Sequence, residues 1–422
     1  MLKDGLIMDE NIKKICDECL QCKKPLCVNG CLVNNNIPLF IKLLKEDKID
    51  EAFKIIDEKS TLPSICSIVC PFEKACMNSC VKSKINKSVK IPLIENYIAT
   101  HAKNTNKPLP YNDKNVALIG SGPASLACGE KLALLGYRVD IYDKFSEAGG
   151  ILTYGIPSFV LDKKIVKDKI NYLKSLGINF ILNKELKKDF TINSLKEKYD
   201  AVFIGIGAGK KKKMNIKNED LENIIDANDY LKENYLNNFD NSLYKNIIVV
   251  GGGNTAIDAA RVAKRNSNNS NVTIIYRRSE NEMPARKNEY ENALNDGITF
   301  NFLTNPVEFI GENKVSKTKC QKMKLVQSDE NRLKPVPIEN AFVTLDSDLV
   351  ILAISSYIDV DVLDEISLNS WGGVIVNEKY QTSIENVFAG GDCISGPLYV
   401  ATATKDGVNA AKYIDEYLKS SH

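Results

Sequence analysis

The chain has 422 residues, 44% hydrophobic and 26% charged, with 56 Lys and Arg against 54 Asp and Glu for a net charge of +2. That balance sets up no global field, so nucleic acid is not an implied partner, and no apolar run approaches the ~20 residues that span a bilayer. The length suits roughly three modules of about 150 residues; the opening stretch MLKDGLIMDENIKK lacks the apolar core of a secretory signal, so a cytoplasmic protein is expected.

Residues 1–103 read as a helical domain. Apolar residues recur at helical spacing from Ile37 to Phe53 and on to Glu58. Two cysteine quartets flank them: Cys19, Cys22, Cys27 and Cys31, then Cys66, Cys70, Cys76 and Cys80. Twelve cysteines without an export signal point to metal or redox use rather than a disulfide framework. Iron–sulfur clusters need thiolates that converge, and ferredoxin-type runs often give three cysteines to one cluster and the fourth to another. On that pattern Cys19, Cys22 and Cys27 hold one cluster, closed by a cysteine of the second quartet, and Cys31 helps to hold the other. Four thiolates also suit zinc, but gaps of three to five residues fit paired zinc knuckles less well; buried free thiols are the third reading. Cys16 with Cys19 forms a further CxxC, the spacing of a redox dithiol. Cys128, Cys320 and Cys393 are isolated and read as ordinary buried residues.

The polar, proline-containing stretch 104–115 reads as a linker. The hydrophobic period then changes to that of parallel strands joined by helices. Val116–Ile119 is a strand leading into Gly120-Ser-Gly122-Pro123-Ala124-Ser125, a helix to Leu135 and a strand at Val139–Tyr142. Gly120 permits the tight turn, and Gly122 lets backbone amides approach a pyrophosphate at the helix N-terminus. Asp143, 23 positions after Gly120, is placed for ribose hydroxyls. Ser125 takes the third glycine position and is expected to loosen helix–strand packing slightly.

The unit recurs with strand Ile247–Val250, Gly251-Gly-Gly253-Asn254-Thr255-Ala256, a helix to about Lys264 and strand Val272–Tyr276. Here Arg277 and Arg278 follow the second strand, where guanidinium groups bind a 2′-phosphate and a carboxylate would repel it. NADP(H) is therefore favoured over NAD(H). Strands at Ala201–Ile204, Leu349–Ala353 and Val387–Ala389 are expected to return to one sheet or the other. Gly390-Gly391-Asp392 closes the last of these, and a following helix is expected to aim its positive end at a cofactor. A final helix runs from about Tyr399 to Leu418. Lys210–Lys213 reads as a solvated loop and Trp371 as a turn residue. The two histidines make a histidine triad improbable, which fits hydride transfer carried by cofactors rather than by catalytic side chains.

With those residues in view, the whole chain resembles the glutamate synthase small-subunit family. The same family includes the NADPH-binding subunit of the bifurcating ferredoxin–NADP transhydrogenase and the flavin half of dihydropyrimidine dehydrogenase. The carrying stretches are CLQCKKPLCVNGC, TLPSICSIVCPFEKAC, GSGPASL, GGILTYGIP, GGGNTAIDAAR, YRRSENEMPAR and VFAGGD. The resemblance implies an α/β protein: a helical N-terminal iron–sulfur domain (1–103), the linker, and two doubly wound, Rossmann-like domains. FAD would be bound by 116–235 with 345–422, and NAD(P) by 236–344. It implies two 4Fe–4S clusters sharing the quartets crosswise, one on Cys19, Cys22, Cys27 and Cys80, the other on Cys31, Cys70, Cys76 and Glu95, with Cys66 outside both. It puts FAD on Gly120, Gly122, Pro123, Ala124, Asp143, Gly150, Gly391 and Asp392. NADP(H) falls on Gly251, Gly253, Asn254, Thr255, Ala256, Arg277 and Arg278.

Three departures stand out: Leu32 replaces the usual proline after Cys31, Ser355 replaces a glycine near FAD, and SYIDVDVL lacks the usual Asn-Pro. In these and in its compact length the chain is similar to the short flavin subunit of bacterial NAD-dependent dihydropyrimidine dehydrogenase, which differs at the arginine pair. The expected activity is electron transfer from NAD(P)H through FAD and two clusters to a large catalytic subunit or a ferredoxin-type acceptor, in a hetero-oligomer. Two rivals remain: a disulfide reductase using Cys16 and Cys19, and a cofactor-binding sensor or scaffold without turnover.

Overall fold

The computed structural model describes residues 9–267, 269–327, 333–363 and 365–420. Two compact units divide the chain: residues 1–153, 158–208 and 357–422 form the first, residues 154–157 and 209–356 the second.

The first unit begins with short helices at Glu10–Asp17, Leu26–Gly30, Ile37–Lys45, Ile49–Lys59, Pro63–Val69 and Ile91–His101. Apolar faces of all but Pro63–Val69 meet in one core around Phe40, Ile41, Ile56, Ile94 and Ile98, while Pro63–Val69 packs on Ile91–His101. The continuous helical period expected from Ile37 to Phe53 is broken at Asp47. That residue takes a left-handed φ of 58°, which aspartate tolerates better than most, and the Lys48 amide reaches back to the Leu43 carbonyl at 2.9 Å. The break folds two amphipathic helices against each other.

A five-stranded parallel sheet follows, in the order Val387–Ala389, Ala201–Ile204, Asn115–Ile119, Arg138–Tyr142, Asn179–Ile181. Its central strands are apolar on both faces, as parallel strands covered by helices on both sides must be. Chain order reverses beside Asn115–Ile119, so the crevice at the carboxyl ends of that strand and Ala201–Ile204 is where such a fold takes a ligand. Helix Val400–Ser420 lies against helix Pro123–Leu134. At their crossing a Cβ on Gly407 would stand 2.0 Å from the Ala124 carbonyl oxygen.

A charged cluster joins the helical segment to this sheet. Lys131 Nζ donates to the Asp57 carbonyl at 2.8 Å and to its carboxylate at 3.1 Å, and Asn106 Nδ2 donates to the same carboxylate at 3.0 Å. Alongside, fully buried Glu130 pairs with Lys169. Burial raises the Glu130 carboxyl and the Lys169 charge pulls it back down.

The second unit carries another five-stranded parallel sheet, ordered Ile224–Asp226, Leu349–Leu352, Asn246–Val250, Asn271–Tyr276, Thr299–Phe302. A three-stranded antiparallel sheet of Thr304–Ile310, Lys317–Val326 and Lys334–Asp346 is inserted between Thr299–Phe302 and Leu349–Leu352. Residues 154–157, 209–235 and 345–356, assigned from the sequence to the flavin half, lie here instead. Ile224–Asp226 pairs with Leu349–Leu352, and helix Ala227–Tyr235 packs on helix Asn254–Asn266. The chain therefore crosses between units at 153/154, 157/158, 208/209 and 356/357. Among the described residues no helix is long and apolar enough to cross a membrane.

The helix crossing generates a stability test. Gly407→Val forces the two helices apart and is expected to cost about 3 kcal/mol, read as a lower urea midpoint with an unchanged slope. Ala410→Gly, at a fully buried position on the same helix, is expected to cost about 1 kcal/mol.

Candidate functional site

The two cysteine loops meet because glycine lets them. A Cβ on Gly30 would lie 2.1 Å from Ser79 Oγ, so the residue before Cys31 sits against the residue before Cys80. Gln21 turns the first loop with a left-handed φ of 48°, and its side-chain amide donates to Cys19 Sγ at 3.5 Å. As a result Cys19, Cys22, Cys27 and Cys80 line one cavity, walled by Pro25, Ile37 and Val89. Burial pushes the Cys27 thiol up to about 11, and Cys80 and Cys19 push it the same way.

A second group forms around Glu95, on the helix Ile91–His101. Burial lifts the Glu95 carboxyl to about 7. Burial also raises Cys31 and Cys76, and Glu95 adds to both. Cys70 is raised first by its hydrogen bond with Cys66, then by burial. Cys66 is itself buried and accepts from Ser60 Oγ at 3.7 Å. Among the described residues no three of these groups close round a single metal ion. A four-iron cluster makes no such demand, since each of its irons takes its own thiolate. The donor set fits such clusters: burial has raised the proton affinity of Cys19, Cys27, Cys31 and Cys76, and such thiols are held as thiolates when iron compensates their charge.

Cys16 lies outside both groups, fully buried in the helical core. Burial takes its thiol up to about 11, the reverse of what an attacking dithiol needs. Cys128, Cys320 and Cys393 are buried as expected.

In the first sheet three glycines sit at the carboxyl edge. Gly120 has φ 88°, and a Cβ there would meet the Gly205 carbonyl oxygen at 2.5 Å. Gly122 faces open space, as a pyrophosphate approach requires, and Pro123 and Ala124 open the helix behind it. Gly150 turns toward Gly122 with φ 55°. Ser125 is fully buried, and its hydroxyl occupies the space a Cβ on Gly205 would fill, at 2.2 Å. Gly205 thus absorbs the missing third glycine, a compensation not visible without the fold.

Asp143 is buried and already held. Its Oδ2 accepts from the Ser121 amide at 2.7 Å and from Ser121 Oγ at 2.5 Å; its Oδ1 accepts from the Phe145 amide at 2.9 Å. The Gly149 amide donates to Ser121 Oγ at 3.1 Å. Ser121, which the sequence reading passed over, therefore ties the glycine turn, the acid and the Gly149–Gly150 loop together. At the far strand Gly391 takes φ 79°, and its amide donates to Asp406 Oδ2 at 3.1 Å. Burial pushes the Asp392 carboxyl up to about 6. The helix after this turn is a single turn, Asp392–Ser395, stopped by Gly396 at φ 77°, and the long helix begins only at Val400. The cofactor-facing helix expected there is thus one turn long.

In the second unit the same logic repeats. Gly251 has φ 150°, with a Cβ set to strike the Ala353 carbonyl oxygen at 2.3 Å, and Gly253 faces open space at the start of helix Asn254–Asn266. Asn254 Oδ1 accepts from the Arg286 amide at 3.0 Å, Thr255 is half-buried and Ala256 fully buried. Arg277 is exposed just past strand Asn271–Tyr276. Arg278 beside it donates Nε to the Leu333 carbonyl at 3.1 Å. Behind the glycine turn, buried Arg261, Glu289 and Arg286 are joined at 2.7 and 2.8 Å, a network that fixes the Arg286 backbone on which Asn254 rests.

Residues 114–407 match the pyridine nucleotide-disulphide oxidoreductase family, and residues 4–107 match dihydropyrimidine dehydrogenase domain II, 4Fe-4S cluster. The glutamate synthase (NADPH) small chain of Azospirillum brasilense is 32% identical over 98% of this chain and 90% of its own; that of Escherichia coli K12 is 33% identical over 96% and 90%. The oxidoreductase AegA of Escherichia coli K12 is 36% identical over 95% of this chain, which spans 64% of that longer protein. Among solved structures FprA of Mycobacterium tuberculosis has a TM-score of 0.64 at 20% identity, covering 74% of this chain and 86% of its own, a likeness of fold. With a 4Fe–4S domain ahead of a dinucleotide-binding body along nearly its whole length, the chain belongs to the pyridine nucleotide-disulphide oxidoreductases and, within them, to the glutamate synthase small-chain family.

Proposed function

We propose that this chain is the NAD(P)H-oxidising subunit of an electron-transfer complex, passing electrons through FAD and two 4Fe–4S clusters to a partner protein. The observation that carries the reading is the interleaving of the quartets. Cys80 joins Cys19, Cys22 and Cys27 at one cavity, while Cys31 is grouped with Cys70, Cys76 and Glu95. When bound, FAD supplies the step between two-electron hydride chemistry and single-electron transfer, and the clusters supply the one-electron path.

The chain's own residues do the binding and orienting. Amides at the start of helix Pro123–Leu134 meet the FAD pyrophosphate, with Gly122 leaving room for it. Asp143, anchored by Ser121, keeps Oδ1 free for one further hydrogen bond from a ribose hydroxyl. Gly391 and Asp392 cap the flavin side of the first sheet, and Asp406 fixes the Gly391 amide from behind. In the second unit Gly251, Gly253, Asn254, Thr255 and Ala256 cradle the nicotinamide dinucleotide, and Arg277 and Arg278 take the 2′-phosphate, which favours NADPH. The reducing compartment that keeps such thiols available is the cytoplasm. The terminal acceptor is a large catalytic subunit or a ferredoxin-type protein, within a hetero-oligomer.

Two substitutions sets test the assignments. Cys80→Ser and Cys70→Ser are each expected to halve the iron and acid-labile sulfide of anaerobically purified protein, and Cys66→Ser to leave both unchanged; loss of iron in Cys66→Ser equal to that in Cys70→Ser contradicts the ligand sets. Arg277→Ala with Arg278→Ala is expected to raise the KM for NADPH by about 10- to 100-fold, the loss of charge-assisted hydrogen bonds, with little change for NADH. Equal losses for both dinucleotides contradict the NADP assignment.

A further inference from the structure

The mouth of the Cys19–Cys22–Cys27–Cys80 cavity is apolar and exposed. Leu20, Leu26 and Val81 line it while 65%, 50% and 37% exposed, and Ile85, 62% exposed, ends the turn that begins at Val81. Lys82 lines the cavity itself, and further lysines adjoin its lining residues in the chain. Lys23 and Lys24 sit between Cys22 and Cys27, and the segment 81–90 carries Lys82, Lys84, Lys87 and Lys90 with no acid. Lys82 reaches Glu18 at 3.6 Å. Lys23, Lys24, Lys84, Lys87 and Lys90 are exposed and form no ion pair among the described residues. In a chain of net charge +2 this concentration of one sign belongs to the face, not to the whole.

An apolar centre inside a charged rim is the anatomy of a protein–protein interface, and unpaired charge of one sign steers a partner of the other. A second copy of this chain would bring lysine against lysine across a two-fold axis and is disfavoured. Placed over a cavity lined by four thiols, the patch suits a partner that exchanges electrons there.

We propose that this face docks an acidic protein carrying its own one-electron centre, its carboxylates on the lysine rim and its redox group over the cavity mouth. The proposal rests on the reading that the cavity holds an iron–sulfur cluster. The electron balance is simple: one NADPH gives up a hydride, leaving NADP+, and two acceptor proteins each leave with one electron as one proton is released.

The test uses the full chain with FAD and reconstituted clusters, and the triple variant Lys23→Glu, Lys24→Glu, Lys84→Glu. The readouts are NADPH-driven reduction of an acidic ferredoxin and of basic cytochrome c, at low and high salt. At low salt the variant's KM for ferredoxin is expected to rise about tenfold and that for cytochrome c to fall. High salt is expected to raise the wild-type KM for ferredoxin toward that of the variant. Anaerobic bleaching of the flavin by NADPH and the iron content are expected to stay at wild-type levels, which separates docking from folding. An unchanged KM for ferredoxin, or equal losses with both acceptors, overturns the proposal, as does a variant whose only change is lost binding to anionic vesicles or lost self-association. Wild-type protein without iron, or with flavin that NADPH fails to bleach, defeats the underlying reading and this surface with it.

Discussion

Buried sulfur is the constraint that organises the N-terminal domain. A thiol taken out of water holds its proton more tightly, as the upward shifts at Cys27, Cys31 and Cys76 record. A domain that uses such groups as ligands must deliver them to a cationic centre together, from loops short enough to converge. The helices here are accordingly brief, and their apolar faces meet in a core around Phe40, Ile56 and Ile94 that fixes the loops from behind. Gly30 is the point at which the two loops touch. Any side chain there would part Cys31 from its neighbours and Cys80 from the first quartet.

The dinucleotide sites answer a different problem with the same means. A pyrophosphate must approach backbone amides closely, so each sheet ends its central strand in a glycine with positive φ, Gly120 in one and Gly251 in the other, and leaves the next fingerprint glycine facing open space. In both places the turn presses on a carbonyl of the neighbouring strand's end, Gly205 or Ala353. The sites then diverge in charge. Asp143 is buried behind Ser121 in the first unit, while Arg277 stands exposed at the corresponding strand end of the second. Acid suits ribose hydroxyls and guanidinium suits an added phosphate, and on the proposed reading one scaffold would serve two ligands.

Much of this was legible from residues alone, for identifiable reasons. Parallel strands buried on both faces are plain apolar runs, so VALI, AVFI and IIVV could be placed before any fold was known. The glycine fingerprints carry their own geometry. The cysteine run suggested clusters shared between the quartets, but naming Cys80 and Glu95 as the closing ligands took the resemblance, because spacing does not say which loops touch; in the fold Gly30 lies against Ser79. Residues 224–235 were misplaced for a related reason. Ile224–Asp226 is a three-residue strand whose partner, Leu349–Leu352, is more than a hundred residues away, and local pattern is blind to such pairing. Ser121 and Gly205 were missed because each matters through a distant neighbour, Asp143 and Ser125. The Gly-x-Gly at 205–207, directly after a strand, was the available signal.

Native mass spectrometry of the anaerobically purified full chain tests the central claim most directly, because it counts what the buried thiols hold. The expected mass exceeds that of the polypeptide by one FAD and two four-iron, four-sulfide clusters. Protein that carries zinc in place of the clusters, or that stays colourless and free of iron after reconstitution, contradicts the account.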